Sequence, residues 1–194
     1  LTDIESGKIV IVSDADKLDG SFMVALPINR SYAIQVSFNS YLPYSLNFDL
    51  KIPDGQTHYH IDVPLNPINS TTENVLANVF FDLNKSSLRQ ESAIELKNLA
   101  EFLRKNPNLK IELGGHTDTR GNAVENLALS TARAKTVYDY LISAEGIDPK
   151  RLTFVGYGET MPLMDDIGIA KLKNEIEIEK AHQKNRRTVY KIIK

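Results

Sequence analysis

Residues 110–134, KIELGGHTDTRGNAVENLALSTARA, decide the fold. Ile111 and Leu113 alternate with Lys110 and Glu112, the period-two pattern of a strand over Lys110–Gly114. Gly114-Gly115 then lets backbone approach a neighbour or a ligand closely. From Asn122 to about Ala144 the period changes to helical, with Leu127, Ala134, Val137, Tyr138 and Leu141 as the expected buried stripe. Gly146 suits the C-terminal cap, and Pro149 prevents continuation. A strand feeding directly into a helix places the link that holds Asp118 at a sheet edge, where ligands are commonly gripped.

Strands and helices alternate outward from this unit. Asn78–Asp82 reads as a strand, followed by a helix capped by Ser86 or Ser87 with Glu91 in its first turns. Leu88, Leu96, Leu99, Ala100 and Leu103 fall at helical spacing, and Asn106-Pro107 ends the run. Arg151–Tyr157 is a third strand, Ile169–Gln183 is helix-compatible, and Arg187–Ile193 closes as a fourth strand. The order βαβαβ(α)β predicts an α+β unit, a mixed four-stranded sheet with helices packed on it.

The first third reads differently. Lys8–Ser13, Ser21–Leu26, Ser31–Phe38 and Leu46–Ile52 are short and rich in Val, Ile, Phe and Tyr, with turn residues between them, Pro53-Asp54-Gly55 included. Such spacing predicts a small antiparallel β-sandwich. Thr57–Leu65 extends from it into the polar stretch Asn66–Thr72, the expected boundary between a domain at 1–66 and one at 73–194.

Charge narrows the function. A net charge of −2 gives no whole-protein field to attract nucleic acid or anionic membrane. The ends differ, however: residues 1–66 carry four Lys/Arg against eight Asp/Glu, and residues 171–194 carry eight against three. Without cysteine there is neither a disulfide framework nor a thiolate metal site. No apolar run approaches the roughly 18 residues of a membrane span. The chain opens on Leu1 without a signal peptide, which reads as a piece of a longer protein whose anchor lay upstream.

Asn126 and Arg133 lie seven residues apart, two helical turns, so they share a face with Ser130 between them. An ammonium group suits Asp118, and a carboxylate suits the planar fork of Arg133 or of the late Arg186. That is equipment for gripping a small zwitterion. On spacing alone, Asp118 serves equally as a helix cap and Arg133 as a surface ion-pair partner. Other candidates weigh less. His58 and His60 share a strand face but lack a third metal ligand, so solvent-facing histidines are the expectation. His116 before Thr117-Asp118 reads as a packing residue rather than a base for Ser130, and Glu175–Lys180 as a solvated helix face. Tyr41, Tyr44 and Tyr59 read as core or edge residues. No catalytic set, cofactor site or metal site is expected, and an amidase or peptidase would need one.

The residues Asn78 to Asn84, Gly115-His116-Thr117-Asp118, Asn126 to Leu129-Ser130, Arg133-Ala134, Gly146-Ile147, Arg151-Leu152, Gly156-Tyr157-Gly158-Glu159 and Asn185-Arg186-Arg187 together resemble the OmpA-like, peptidoglycan-associated domain over about residues 73–194. The resemblance implies noncovalent binding of the peptidoglycan stem peptide at its diaminopimelate. It implies that Asp118 and Arg133 hold the zwitterion, with Asn84, Asn126 and Arg186 in support. It also implies a periplasmic place, tethered to the outer membrane through the upstream anchor. Residues 163–184 are longer than the family's usual loop and resemble the version found with Bacteroidetes members. The N-terminal residues Asp19-Gly20-Ser21-Phe22, Ser31-Tyr32-Ala33-Ile34 and Phe48-Asp49-Leu50 resemble a carboxypeptidase-regulatory-like, transthyretin-type sandwich, in part. Its implied role is that of a spacer or a surface for an envelope protein partner through residues 1–66, which is the alternative function.

Overall fold

A computed structural model describes residues 1–52, 58–69, 72–82 and 85–193. Near the N-terminus, β1 (Thr2–Asp3), β2 (Arg30–Val36) and β3 (Tyr44–Leu50) form an antiparallel sheet in the order β1-β2-β3. The register of β2 and β3 runs from Arg30↔Leu50 to Val36↔Tyr44. Tyr32, Ile34 and Leu50 are its buried residues, on the alternating positions a strand offers to one face. The strands expected at Ser31–Phe38 and Leu46–Ile52 are present, shifted by one or two residues. Lys8–Ser13 contributes only an isolated bridge from Ile9 to Thr2, and Ser21–Leu26 forms no strand. Ile9, Val12 and Met23 stay exposed there, so these apolar runs have no sheet face to bury against. The expected turn at Pro53-Asp54-Gly55 lies outside the described residues.

The second unit comprises β4 (Asn74–Val75), α1 (Ser92–Lys105), β5 (Lys110–His116), α2 (Ala123–Ser143), β6 (Leu152–Gly158), α3 (Asp166–Ile169), α4 (Glu175–Asn185) and β7 (Thr188–Ile193). Its sheet order is β4-β7-β5-β6, with β5 and β6 parallel and the other pairs antiparallel. This is the mixed four-stranded sheet that the element order predicts. Ile111 and Leu113 of β5 meet Leu96, Leu99 and Leu103 of α1, Val137 and Leu141 of α2, and Leu152 and Tyr190 in one core. Burying such a side chain fully is worth about 1.5–3 kcal/mol relative to leaving it exposed, so this cluster holds the layers together.

Two expectations change at the start of this unit. Asn78–Asp82 is not a strand; the edge strand is Asn74–Val75. The reason is local: the Phe80 amide donates to Ser92 Oγ at 2.9 Å and its carbonyl accepts from the Arg89 amide at 3.1 Å, so α1 and the segment before it take the place of a ladder partner. For the same reason α1 begins at Ser92 rather than after Ser86 or Ser87. Leu88 pairs back with Phe81 across an isolated bridge, and Glu91 stands at the N-cap position without a side-chain cap bond.

α2 lies on the sheet unusually closely. A Cβ on Gly115 would come within 2.1 Å of the Ser130 carbonyl oxygen, and one on Gly156 within 2.1 Å of Thr131 Oγ1. Only glycine at these two places allows the helix to rest on β5 and β6. α2 ends as expected, with Gly146 at φ +67° in the left-handed region. Leu127 corrects the expected stripe, being half exposed. A Cβ on Gly158 would lie 3.3 Å from the Cα and N of Leu127, so the helix presents backbone to the sheet at that level and turns the side chain away.

The two units share contacts. Leu42 joins the core of the second unit, Tyr190 Oη donates to Pro43 O at 3.2 Å, and Gln35 donates to Glu95 at 2.6 Å. Ser45 Oγ donates to Val75 O at 3.2 Å and accepts from the Ala77 amide at 3.0 Å. No helix among the described residues is long and apolar enough to cross a membrane.

Candidate functional site

β5 delivers Asp118 to a corner where three other segments end. The His116 amide donates to Arg187 O at 2.9 Å and the Thr117 amide to Gly158 O at 2.8 Å. These bonds tie the end of β5 to the starts of β7 and of the loop after β6. Asn122 then caps α2, accepting from the Val124 and Glu125 amides, so the chain turns directly into the helix that holds Asn126, Ser130 and Arg133.

Asp118 is 6% exposed. Its Oδ2 accepts from Arg120 Nε at 3.1 Å, from Arg120 Nη2 at 2.8 Å and from Arg186 Nη1 in a short contact. Oδ1 accepts from the Arg120 amide at 3.2 Å. Burial by itself raises the Asp118 carboxyl, but the bonds and charges of Arg120 and Arg186 outweigh it and hold the group below the usual carboxylate range. Glu179 of α4 faces the same guanidiniums. It accepts from Arg120 Nη1 at 2.9 Å and from Arg186 Nη2 at 2.6 Å, and these bonds lower its carboxyl too.

Arg133 lies in the same corner in a different condition. It is 9% exposed; Nε donates to Lys85 O at 3.1 Å, Nη2 donates weakly to Asp82 O at 3.4 Å, and the guanidinium lies over the Phe81 ring at 5.1 Å. Among the described residues no carboxylate pairs with it. Desolvation lowers its proton affinity first, repulsion from Arg186 adds to that, and attraction from Asp118 opposes both. Both charges therefore reach Arg133 through a poorly screened interior.

Asn126 acts as a brace. Its Nδ2 donates to Arg120 O at 3.1 Å, to Glu159 Oε2 at 2.6 Å and weakly to Asp118 O at 3.4 Å, pinning the Asp118 loop to the end of β6. Asn84 lies outside the described residues. Sequence spacing thus brings Asp118, Asn126, Arg133 and Arg186 together, while Arg120, Glu179 and His182 were missed. Glu175–Lys180 is not merely a solvated face. Glu179 lies two helical turns before Arg186 and shares its face of α4, which is the signal that was available. His182 lies between them, 8% exposed, its Nδ1 unbonded and 3.9 Å from Asp118 Oδ2.

His116 belongs to the opposite side of β5 from Ser130. It stacks on Tyr157 with ring centroids 5.0 Å apart, and Glu73 Oε2 is 3.8 Å from its Nε2. Burial, then the charges of Arg187 and Lys191, lower its pKa to about 4. Ser130 Oγ donates to Leu127 O and accepts from the Gly158 amide. The hydroxyl and the imidazole therefore form no nucleophile–base pair. His60 bonds Asp62 at 3.0 Å, and no cluster among the described residues is suited to a metal ion.

The mixed β4-β7-β5-β6 sheet with its packed helices has the α+β arrangement of an OmpA-like domain. A family model described as the OmpA family matches residues 80–186, more than half of the chain, and the chain belongs to that family. Outer membrane porin F of Pseudomonas aeruginosa is 34% identical over 116 residues, which cover 60% of this chain and 33% of that protein. The peptidoglycan-associated lipoprotein of Rhizobium meliloti is 39% identical over 98 residues, covering 50% of this chain and 55% of its own length. The chain thus spans about a third to a half of these curated relatives. Among solved structures, the peptidoglycan-associated lipoprotein from Burkholderia pseudomallei is similar with a TM-score of 0.49 and 27% identity, covering 59% of this chain and 88% of that one.

Proposed function

We propose that the chain binds bacterial peptidoglycan noncovalently, at the diaminopimelate of its stem peptide, and so tethers the outer membrane or an envelope protein to the wall from the periplasm. One observation carries this reading: Arg133 is buried within electrostatic reach of Asp118, its guanidinium bonded to two main-chain carbonyls and paired with no carboxylate among the described residues. A desolvated cation without an anion calls for one from outside, and Asp118 in the same corner is an acid on which an ammonium can replace the half-exposed Arg120. Diaminopimelate carries both on one carbon at the end of its side chain. The ammonium goes to Asp118, and the carboxylate goes to Arg133 and Arg186, with Asn126 holding the loop in place. The relatives named peptidoglycan-associated lipoprotein support the wall as the source of that ligand.

Each charge-assisted hydrogen bond contributes about 1.5–3 kcal/mol net. Two or three, less the cost of association, correspond to micromolar affinity. The chemistry proposed is grip without turnover; among the described residues, Ser130 and His116 form no nucleophile–base pair. Calorimetric titration with a diaminopimelate-containing stem peptide tests it. Asp118→Ala and Arg133→Ala should each weaken binding by tens-fold, about 2 kcal/mol or more. Parent-like affinity in both variants contradicts the site assignment.

A second reading concerns residues 1–66, taken as a separate domain from 73–194. Val12, Leu18, Met23 and Phe38 are exposed on an acidic segment, which favours a surface for an envelope protein partner. A pull-down indifferent to an Asp118/Arg133 double change but lost on deleting residues 1–66 would favour that use of the chain.

A further inference from the structure

Asp118, Arg120, Glu179 and Arg186 form a closed circuit of alternating charge. Each guanidinium donates to both carboxylates, and each carboxylate accepts from both guanidiniums. The four are not equivalent. The side chains of Asp118 and Arg186 are 8% and 22% exposed and line the corner, whereas those of Arg120 and Glu179 are 52% and 55% exposed and close it from the solvent side. The outer pair is one cation and one anion, the same two charges that an amino-acid head group carries.

We infer that Arg120 and Glu179 are specificity-determining residues, an internal stand-in for the zwitterion that the ligand must replace. Arg120 occupies the place of the ligand's ammonium on Asp118, and Glu179 occupies the place of its carboxylate on Arg186. This rests on the reading of the site given under Proposed function and adds what that site selects.

The selectivity follows from counting charges. A ligand that brings an ammonium and a carboxylate together takes Asp118 and Arg186, and leaves Arg120 and Glu179 paired with each other at 2.9 Å. No charge is stranded. A ligand with the ammonium alone displaces Arg120 and leaves two guanidiniums to share Glu179. A ligand with the carboxylate alone displaces Glu179 from Arg186, but its charge is met by Arg133 as well. Arg186 is mostly buried, so the extra cation that an ammonium-only ligand leaves beside it is costly, and such ligands are disfavoured. His182 supports the exchange. Its unbonded Nδ1 and Asp118 Oδ2, 3.9 Å apart, can both accept from one ammonium at about 2.8 Å from each.

The test uses the full chain and three ligands: a stem peptide with diaminopimelate, the same peptide lacking the side-chain amine, and the same peptide with the side-chain carboxyl amidated. The parent should prefer the first by about tenfold or more over the carboxyl-amidated analogue. Glu179→Gln removes the anion at a half-exposed position and should tighten the zwitterion about 3- to 10-fold. It should tighten the carboxylate-only peptide by more, because Arg120 then stays on Asp118 and no acid is displaced. Arg120→Gln should mirror this, favouring the amine-only peptide. Unchanged or weaker zwitterion binding in Glu179→Gln, while Asp118→Ala still weakens it tens-fold, overturns the stand-in and leaves the site intact. Parent-like binding by Asp118→Ala instead overturns the site, and the stand-in with it.

Discussion

Gly115→Ala is the sharpest single perturbation of this fold. The added Cβ would lie 2.1 Å from the Ser130 carbonyl oxygen, 2.9 Å from its carbonyl carbon and 3.3 Å from its Cα. All three are backbone atoms in the middle of α2, so no side-chain rotation relieves the contact. Either β5 or α2 must move by about 1 Å or more to restore van der Waals spacing. Overpacking of a rigid layer costs about 1–3 kcal/mol when side chains adjust, and the upper end or beyond applies when only backbone can. At about 3 kcal/mol, a chain of this size loses roughly 6–12 °C in melting temperature. The displaced helix holds Arg133, so ligand affinity should fall along with stability. Thermal melts followed by circular dichroism, with urea unfolding alongside, measure the first effect. Gly168→Ala is the internal control, because its added Cβ meets only side-chain atoms, Met164 Cγ at 3.0 Å and Asp165 Oδ1 at 3.1 Å, and should cost well under half as much. A Gly115→Ala protein within about 1 kcal/mol of the parent would refute the close packing that positions the site.

Two further predictions concern buried titratable groups of opposite behaviour. His116 has its pKa lowered to about 4 by burial and by Arg187 and Lys191, with Glu73 the one facing acid among the described residues. The unfolded imidazole takes a proton as pH falls through about 6.5 while the folded one does not, so stability drains between about pH 6.5 and 4. His116→Phe keeps the stack on Tyr157 and should remove about 2 kcal/mol of the acid-induced loss, read as a flatter urea midpoint from pH 7 to 4.5. Glu95 lies between the two units with its carboxyl raised by burial, against bonds from Ser45, Gln35 and Asn78. Its stabilising contribution is present below the usual carboxylate pKa and is lost as pH rises towards the folded value. Glu95→Gln should therefore leave stability at pH 7.5 unchanged or raised by about 1 kcal/mol, its new amide being able to donate to the unpartnered Asn78 Oδ1. A loss of more than 2 kcal/mol in the same unfolding measurement would contradict this.

What the sequence made legible follows from how local each signal is. β5, α2 and Gly146 were readable because period, close-approach glycines and cap all lie within one contiguous stretch. α1 was misplaced at its start because Ser86 and Ser87 look like caps, while the residue that organises the segment, Ser92, acts through Phe80 twelve positions earlier. The apolar runs at 8–13 and 21–26 have strand composition, but the first makes only an isolated bridge to Thr2 and the second forms no strand, and composition does not reveal whether a full ladder partner exists. At the site, Asp118, Asn126 and Arg133 were legible from helical spacing and the strand end. Arg120 and Glu179 were not, because their role depends on how α4 is docked. That docking is set by contacts remote in sequence, such as Asn185 accepting from the Leu163 and Met164 amides.

Stem-peptide titration followed by backbone amide chemical shifts tests the central claim most directly, because it reports where the ligand lands. Shifts should concentrate in residues 115–121, in the first three turns of α2 through Arg133, and around Arg186, saturating at micromolar to sub-millimolar peptide. A peptide that leaves those amides unmoved, or moves only residues of the N-terminal sheet, would contradict it.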